Sequence, residues 1–263
     1  MARLDEAERR EAINRSLERV GRASVAGLAR EFGVSEVTIR KDLSELERRG
    51  VLTRVHGGAT RTSLKDEGSF ASRLLNAVES KRDIAHRAAR LVHSGDTIIL
   101  DSSSSAHFLA QELLELRDLV VVTYSIPTAS LFLDRSAASV YLIGGPLRRS
   151  SRATSVSLPV RGAPKSVGLG FFGAHSASVT RGLGEMSAEE AQSKAALAAL
   201  CPRIYALVDE SKFADASFHY WLPPDKVTGV ITAEGAPDES IRRWRSVGVT
   251  VDTGERVHRS AAG

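Results

Sequence analysis

Four consecutive serines follow one aspartate in the second half of the chain, in the run Asp101-Ser102-Ser103-Ser104-Ser105. The run lies between an apolar segment, 97–101 (TIILD), and a helical pattern that begins at about Ala106. Hydroxyl groups and free N–H groups at the positive end of a helix are suited to holding a phosphate. Capping of the helix by one serine is the simpler alternative, but a cap needs only one hydroxyl. We therefore expect an anion-binding loop that includes Asp101, Ser103, Ser104 and Ser105.

Other polar residues and glycines stand near the ends of segments that predict strands. Ligands of parallel α/β sheets bind beyond the carboxyl ends of the strands, so these residues are candidates for the same site. Glycine allows a ligand to approach the backbone, with a tight turn as the alternative, and each charged side chain has surface solvation as its alternative. The candidates are Thr123 and Ser125, Gly144 and Gly145, Lys194 in a helix that begins near Ala188, and Asp209 and Lys212.

A second group of polar residues lies in the first sixty residues. Ser35 is placed to cap a helix over about 36–49, on which Val37, Ile39, Leu43 and Leu46 are expected to form the apolar side. A preceding helix begins after Ser24 and ends at Gly33, so the two form a helix-turn-helix, whose second helix enters the major groove by its N-terminal residues. The candidate DNA contacts on that helix are Ser35, Glu36, Thr38, Arg40 and Lys41.

A short hairpin is predicted directly after this helix. Residues 51–56 alternate as a strand should, and Gly57-Gly58 closes a turn, which together predict a β-wing. Arg54 and His56 are candidates to hold phosphates beside the groove. A lone histidine on a hairpin lacks the clustered ligands that a zinc site requires, so we expect neither a metal nor another cofactor.

The remaining elements indicate two domains. A first helix carries Ala12, Ile13, Leu17 and Val20 as its core-facing stripe. Beyond the polar segment 61–69, a helix capped by Ser80 leads into six predicted strands that alternate with helices, the pattern of a mostly parallel α/β sheet covered on both faces. We expect a winged helix-turn-helix over 1–60, a linker and hinge over 61–79, and a sensing and oligomerisation domain over 80–255. The strands are predicted at 97–101, 119–124, 140–143, 204–208, 227–232 and 249–251.

Composition narrows the class of protein. The 263 residues include 42% hydrophobic and 26% charged residues, the proportions of a folded soluble chain, and the formal net charge of +4 favours polyanionic partners. The single cysteine fits a reducing compartment, and the charged, amphipathic N-terminus lacks the apolar centre of a secretory signal. We therefore expect a cytoplasmic protein.

The run LAREFGVSEVTIRKDLSELERRGVLTRVHGGA closely resembles the DeoR family of bacterial regulators, whose signature is VS..TIR.DL..LE..G...R.HGGA. The resemblance implies base or phosphate contacts by Thr38, Arg40 and Lys41, and wing contacts by Arg54 and His56. It extends through GDTIILD, VVTYS, LIGG, Lys194 and LVDESKF to a sensor domain similar to ribose-phosphate isomerases. The chain departs from the family where Asp-x-Gly-Thr-Thr is usual, because the loop after Asp101 has only serines. It also has Tyr124 where asparagine is common, and Gly168 near where aspartate is common.

The resemblance implies a repressor of a carbohydrate-metabolism operon that a phosphorylated sugar or related metabolite releases from double-stranded operator DNA. Two half-sites in the operator would require a homo-oligomer. The main alternative is a sugar-phosphate isomerase-like enzyme with a DNA-binding appendage, in which Asp101, Asp209 and Lys194 serve as acids and bases. The sequence contains neither a G-x-x-x-x-G-K-[ST] phosphate loop nor a nucleophile elbow. A third interpretation is an adaptor that binds no DNA.

Overall fold

The computed structural model describes residues 5–20, 22–48, 52–55, 57–61, 68–164, 167–213 and 217–254. The chain divides into two compact units, Met1–Asn76 and Ala77–Gly263. The first is a helix-turn-helix with a small antiparallel sheet, and the second is an α/β sheet with helices.

The first unit begins with three helices, which the sequence predicts. Ser24 caps the second helix by accepting a hydrogen bond from the Gly27 N–H at 3.0 Å. Gly33 ends that helix in the left-handed conformation, with φ of 64°, and its lack of a Cβ removes the strain of that turn. Ser35 accepts a hydrogen bond from the Thr38 N–H at 3.1 Å and so caps the third helix. The elements are α1 (Glu6–Val20), β1 (Arg22–Ser24), α2 (Val25–Phe32), α3 (Glu36–Arg48), β2 (Leu52–Val55), β3 (Gly58–Arg61) and α4 (Phe70–Arg73).

The predicted wing is present as the antiparallel pair β2 and β3, and β1 adds a third strand that the sequence did not predict. At Gly58 a Cβ would lie 2.2 Å from the Ala23 carbonyl oxygen, so only glycine lets β3 approach β1 this closely. Residues from every helix and strand of the wing and the helix-turn-helix share one apolar core, which contains Ile13, Leu17, Val25, Leu28, Ile39, Leu43, Leu46, Leu52 and Ala59.

Two predictions about apolar faces are wrong. The helical spacing predicts that Val20 faces the core from α1, but Val20 is 60% exposed at the last position of the helix. The sequence also predicts Val37 on the apolar side of α3, but its side chain is 72% exposed. Successive helical residues turn by about 100°, so Val37 lies roughly 200° from Ile39 and points away from the side that Ile39 buries.

The second unit contains a seven-stranded sheet in the order β15-β14-β12-β9-β4-β5-β6, and every neighbouring pair is parallel. The predicted mostly parallel α/β fold is confirmed, and each of the six predicted strands is present within two residues of its expected bounds. The strands are β4 (Thr97–Leu100), β5 (Val120–Thr123), β6 (Ser139–Leu142), β9 (Leu169–Phe172), β12 (Ile204–Leu207), β14 (Gly229–Ile231) and β15 (Thr250–Asp252).

Strand β9 occupies the centre of the sheet, and the sequence did not predict it. It is short and contains Gly170, a residue that weakens a strand pattern. A Cβ at Gly170 would lie 2.8 Å from the Cys201 sulfur, so the close packing around β9 requires glycine there. Burial raises the pKa of the Cys201 thiol to about 12. That side chain packs against the core, as a small apolar residue would.

Smaller sheets and helices complete the second unit. The helix expected from Ser80 begins earlier, at Val78, and its first flanking residue, Ala77, has φ of 48° and provides no side-chain cap. The capping role of Ser80 is therefore wrong. The other elements are α5 (Val78–Ala89), α6 (Ser104–Glu112), α7 (Ile126–Arg135), β7 (Leu147–Arg148), β8 (Ala153–Thr154), β10 (Ser176–Ser178), β11 (Gly182–Glu185), α8 (Ala188–Ala198), β13 (His219–Leu222) and α9 (Asp238–Ser246). Among the helices that the structure describes, none is long and apolar enough to cross a membrane.

Candidate functional site

The carboxyl edge of the seven-stranded sheet gathers a cluster of buried charges around Asp101. Asp101 directly follows β4, and its Oδ1 accepts hydrogen bonds from the Ser103 N–H at 2.9 Å and the Ser103 hydroxyl at 2.5 Å. Its Oδ2 accepts a bond from the Gly173 N–H at 2.9 Å, one residue beyond β9. Adjacent parallel strands thus end at one point, and Asp101 connects them.

Lys194 reaches the same point from α8. Its Nζ lies 3.0 Å from Asp101 Oδ2, donates to the Gly173 carbonyl oxygen at 2.8 Å, and pairs with Glu185 Oε1. An ammonium has three N–H donors, and these three acceptors match them in number. Lys194 is 3% exposed as a side chain. Lys194 is therefore a buried cation between two carboxylates, and its contacts hold the ends of β4, β9 and β11 together.

A second group of polar side chains surrounds Glu190, four residues before Lys194 on the same face of α8. Glu190 Oε1 accepts hydrogen bonds from the Ser102 hydroxyl at 2.8 Å and the Tyr124 hydroxyl at 2.7 Å. Its Oε2 pairs with the Arg148 guanidinium of β7. Arg148 thus connects the β7–β8 hairpin to the serine run through Glu190.

Burial and charge act in opposite directions on this group. Burial alone would raise the pKa of Glu190, but the positive charges of Lys194 and Arg148 outweigh it, and the pKa is lowered from its usual value. Burial raises the pKa of Tyr124 well above its usual value, and the carboxylates of Glu190 and Asp101 add to that shift. At neutral pH the pair is therefore an ionised carboxylate that accepts a bond from a neutral phenol.

The structure brings Asp101, Ser103 and Lys194 together and gives the other predicted effector residues local roles. Ser103 is half-buried and caps α6 by accepting a bond from the Ala106 N–H at 3.1 Å, while Ser104 and Ser105 are buried in its first turn. The N–H groups of a first helical turn have no acceptor within the helix. Ser103 thus caps this turn directly beside Asp101.

The remaining predicted residues lie at the ends of other strands. Thr123 accepts a bond from the Ser125 N–H at 3.1 Å, and Ser125 caps α7, so both are used in the turn after β5. Asp209 accepts bonds from Ser211 in the turn after β12, and the half-buried Lys212 ends that turn. Exposed Gly144 and Gly145 follow β6, and a Cβ at Gly145 would lie 2.0 Å from the Ser155 oxygen. The backbone approach there accounts for that glycine.

Several residues of the cluster were not among the predicted contacts. Glu190 and Lys194 are four residues apart in a predicted helix, so their shared face was a usable signal. Arg148 is one of three arginines in the segment LRRSSR, which nothing in the local pattern connects to Glu190. The missed residues are Ser102, Tyr124, Arg148, Gly173, Glu185 and Glu190.

The other candidate surface is the exposed side of α3. The hydroxyls of Ser35 and Thr38 lie 2.9 Å apart at its N-terminus, and Arg40 pairs with Glu36 one turn earlier at 2.6 Å. Lys41 is exposed next to Arg40. Exposed ion pairs of this kind contribute at most about 1 kcal/mol, so Arg40 is readily released to another anion.

The wing brings a further guanidinium to this surface. Arg54 of β2 donates from Nη1 to the Ser44 hydroxyl on α3 at 3.0 Å, and its N–H donates to Glu47 Oε1 at 3.1 Å. Arg54 therefore lies beside α3 on the exposed side. His56, the other predicted wing contact, lies outside the described residues.

Asp42 positions α3 from the opposite side, a role that the local sequence pattern does not indicate. Its carboxylate is 1% exposed and accepts bonds from Arg9 Nε at 2.7 Å and Arg10 Nε at 3.1 Å, both on α1. Two helices of the first unit are thus joined by a buried pair of ion contacts. Neither unit has a group of three His, Cys, Asp or Glu side chains suited to a metal within the residues that the structure describes.

Two family models match successive parts of the chain. Residues 9–65 match the DeoR-like helix-turn-helix domain, and residues 76–234 match the DeoR C terminal sensor domain. Among solved structures, ribose 5-phosphate isomerase A from Methanocaldococcus jannaschii is similar over 52% of this chain and 55% of its own, with 22% identity and a TM-score of 0.39.

Curated relatives align along nearly their whole length. An aga operon transcriptional repressor from Escherichia coli O157:H7 is 30% identical over 93% of this chain and 92% of its own. The regulator GolR from Listeria innocua is 32% identical over 94% and 98%. The lactose phosphotransferase system repressor of Streptococcus mutans is 30% identical over 86% and 91%. With both domains matched in order and relatives of this similarity, the chain belongs to the DeoR family of DNA-binding transcription regulators.

Proposed function

We propose that this regulator represses a carbohydrate-metabolism operon by binding double-stranded operator DNA as a homo-oligomer in the cytoplasm, and that a phosphorylated sugar releases it. Relatives named for an aga operon and a lactose phosphotransferase system support carbohydrate genes as the target. In this proposal residues 1–60 bind DNA, 61–79 form a hinge, and 80–255 sense the effector and oligomerise. The boundary between the compact units at Asn76 supports a division in this region.

The observation that carries the DNA-binding part is the exposed side of α3. Arg40 and Lys41 are exposed on this side, and Arg54 of the wing is held beside it by its hydrogen bond to the Ser44 hydroxyl. Ser35 and Thr38 are at the N-terminal end, the part of a recognition helix that meets base edges. Arginine contacts to guanine discriminate by about 1–3 kcal/mol, and each phosphate contact adds salt dependence.

Anisotropy titrations of the full chain with a labelled duplex from upstream of its own gene test this part. The double variant Arg40→Ala, Lys41→Ala should bind more weakly, and the slope of log affinity against log salt should become shallower by about one to two. A matched control, Arg15→Ala with Arg82→Ala, removes two exposed arginines that belong to helices other than α3. Equal affinity and salt slope for the double variant and wild type would refute the assigned contacts.

The proposed effector site is the Asp101–Ser105 loop at the start of α6. Ser103 there is half-buried, and Asp101, Gly173 and Lys194 hold the loop in place. A phosphate at the helix N-terminus would gain the partial positive charge of the first turn. Arg148 reaches this loop through Glu190, which also accepts a hydrogen bond from the Ser102 hydroxyl. The Arg148 side chain is 12% exposed, and we propose that it exchanges this carboxylate for the phosphate.

Thermal unfolding of the full chain with added sugars tests the effector site. Ribose 5-phosphate and glucose 6-phosphate serve as probes, with the free sugars and inorganic phosphate for comparison. A ligand at a hundred times its Kd stabilises by about 2.7 kcal/mol, so a phosphorylated sugar that binds should raise the Tm and its free sugar should not. Arg148→Ala should reduce the shift, whereas Arg149→Ala, an exposed neighbour, should preserve it. No shift with either phosphorylated sugar would contradict a site for these two compounds.

A further inference from the structure

Val37 is a solvent-exposed apolar side chain, and the stability of the first unit does not explain why a valine occupies this position. It is 72% exposed at the second position of α3, so it adds little to the apolar core of that unit. Valine is also a weaker helix former than alanine, leucine or glutamate, because its branched Cβ loses rotamer freedom in a helix. An exposed helical position therefore offers no stability reason for valine.

Helix geometry places Val37 at the middle of the exposed side. With about 100° of turn per residue, the buried residues of α3 share one side whose centre lies almost opposite Val37. Those buried residues are Ile39, Asp42, Leu43 and Leu46. Arg40, Lys41 and Ser44 stand three, four and seven residues after Val37, which places them around it on the same side.

The residues around Val37 indicate what kind of surface this side of α3 could bind. Arg40 and Lys41 follow it along α3, and Arg54 lies over Ser44 further along the same side. The exposed side of α3 thus has an apolar centre with cations around it, one of which, Arg40, is paired with the exposed Glu36 carboxylate. The major groove of DNA has the matching arrangement, with phosphates along both rims and the C5-methyl groups of thymines on its floor.

We infer that Val37 contacts the C5-methyl group of a thymine in the operator half-site, and so makes the protein select an A·T base pair at that position. The inference rests on the proposed binding of operator DNA by α3. Apolar contact with this methyl group is the one base-edge interaction in the major groove that needs no hydrogen bond, and valine can make no other specific contact there.

The test begins with the full chain and a library of random-sequence duplexes. Duplexes that the wild-type protein retains are sequenced, and a consensus duplex is made. Each thymine of that duplex is then replaced in turn by deoxyuridine, which keeps every hydrogen-bonding group and removes only the methyl group. At one thymine per half-site the replacement should weaken wild-type binding about fourfold, the equivalent of one buried methylene.

The variant Val37→Ser isolates the contact. It should bind the thymine and deoxyuridine duplexes equally at that position, because serine at this site has no methyl group to place against the base. Leu133→Ser is the matched control, since Leu133 is also an exposed apolar residue on a helix, at 70%, but belongs to the second unit. That control should retain the fourfold difference, and all three proteins should show the same Tm.

The outcomes separate a failure of the Val37 inference from a failure of the proposed operator binding. A consensus duplex whose binding is insensitive to deoxyuridine at every thymine overturns the Val37 inference and leaves operator binding intact. The Val37 inference is also overturned if Val37→Ser retains the full deoxyuridine effect. If the wild-type chain selects no sequence from the library, the proposed operator binding fails and the inference fails with it.

Discussion

Asp42 carries its charge on the inner side of α3, where two arginines of α1 neutralise it. The contacts to Arg9 and Arg10 are largely buried, with side-chain exposures of 10% and 15% for the arginines. A buried charge that loses its partner is costly, because neither water nor another charge replaces the lost contact. The orientation of α3 therefore depends on this carboxylate, although the residues proposed to meet DNA lie on the other side of the helix.

Replacing Asp42 by asparagine should destabilise the first unit by about 3 kcal/mol, since the largely buried guanidinium groups of Arg9 and Arg10 then lose the carboxylate that they share. Both tryptophans and all four tyrosines lie in Ala77–Gly263. The loss should consequently appear in far-UV circular dichroism during urea unfolding and leave the tryptophan transition unchanged. Glu11→Gln, which breaks the exposed pair with Arg15, is the control and should cost less than about 1 kcal/mol. Equal effects of the two substitutions would show that the Asp42 contacts contribute little.

Glu190 provides a prediction about pH in the second unit. Its pKa in the folded chain is lowered from 4.5, so the ionised carboxylate adds stability that is complete above that value. The stability is lost as the pH falls through the lowered folded pKa. Urea unfolding followed by tryptophan fluorescence should therefore show a steep loss of stability for wild type below about pH 4.5.

Glu190→Gln should remove that part of the pH dependence and lower the free energy of unfolding at neutral pH, because the amide cannot compensate the Arg148 charge. Glu189→Gln changes the exposed neighbouring residue and should keep the wild-type slope. If both variants have the same slope as wild type, the Glu190 carboxylate is not a source of acid sensitivity.

At the scale of elements, the start of α6 and the end of β9 meet with almost no space between them. A Cβ at Gly173 would lie 2.5 Å from the Cβ of Ser103, and the Gly173 N–H and carbonyl group bind Asp101 and Lys194. The absence of a side chain at Gly173 thus lets the serine run close over the central strand. Neither segment alone indicates this contact.

Gly173→Ala should consequently push the serine run away from Asp101 and destabilise the second unit by about 1–3 kcal/mol, the usual cost of overpacking. Gly144→Ala is the matched control, because a Cβ at Gly144 would meet no atom within 4 Å. Urea unfolding by tryptophan fluorescence measures both. A Gly173→Ala protein as stable as the Gly144→Ala protein would mean that the loop accommodates the methyl group.

At the scale of the whole molecule, membership of a family of DNA-binding regulators confirms the prediction of a regulator in preference to an enzyme. The contacts of Lys194 agree with that result, because its ammonium group binds Asp101, Gly173 and Glu185 of the protein itself and so holds strand ends together. A regulator that senses a metabolite must link the sensor to the DNA-binding domain by a free energy of coupling. Such coupling is reciprocal, because the two binding events share one thermodynamic cycle.

The proposed repressor should accordingly bind its operator about 5- to 150-fold more weakly when a phosphorylated sugar saturates it, the usual range of such coupling. The operator should weaken binding of the sugar phosphate by the same factor. Anisotropy titrations of DNA with and without the sugar, and calorimetric titrations of the sugar with and without DNA, measure the two factors. A sugar that binds without altering DNA affinity would contradict its role as the releasing effector.

The sequence by itself was sufficient for the elements that depend on neighbouring residues. Caps such as Ser24 and Ser35, the turn at Gly33, and the apolar runs of six parallel strands are local patterns, so they were visible without a fold. The DeoR resemblance was likewise strongest in one continuous run near the N-terminus. Val37 shows where the local pattern fails. The apolar residues of α3, taken as one set, predict Val37 on the core side, whereas its angle around the helix places it on the exposed side.

Only the tertiary structure decided which charges compensate one another and where the central strand lies. Asp42 meets Arg9, Asp101 meets Gly173, and Arg148 meets Glu190 across separations of 33, 72 and 42 residues. Such contacts form when strands and helices pack, and the local pattern of either partner contains no trace of the other. Strand β9 is likewise recognisable only in the sheet. Gly170 interrupts its apolar pattern in the sequence, and its backbone pairing with β4 and β12 is what identifies it as a strand.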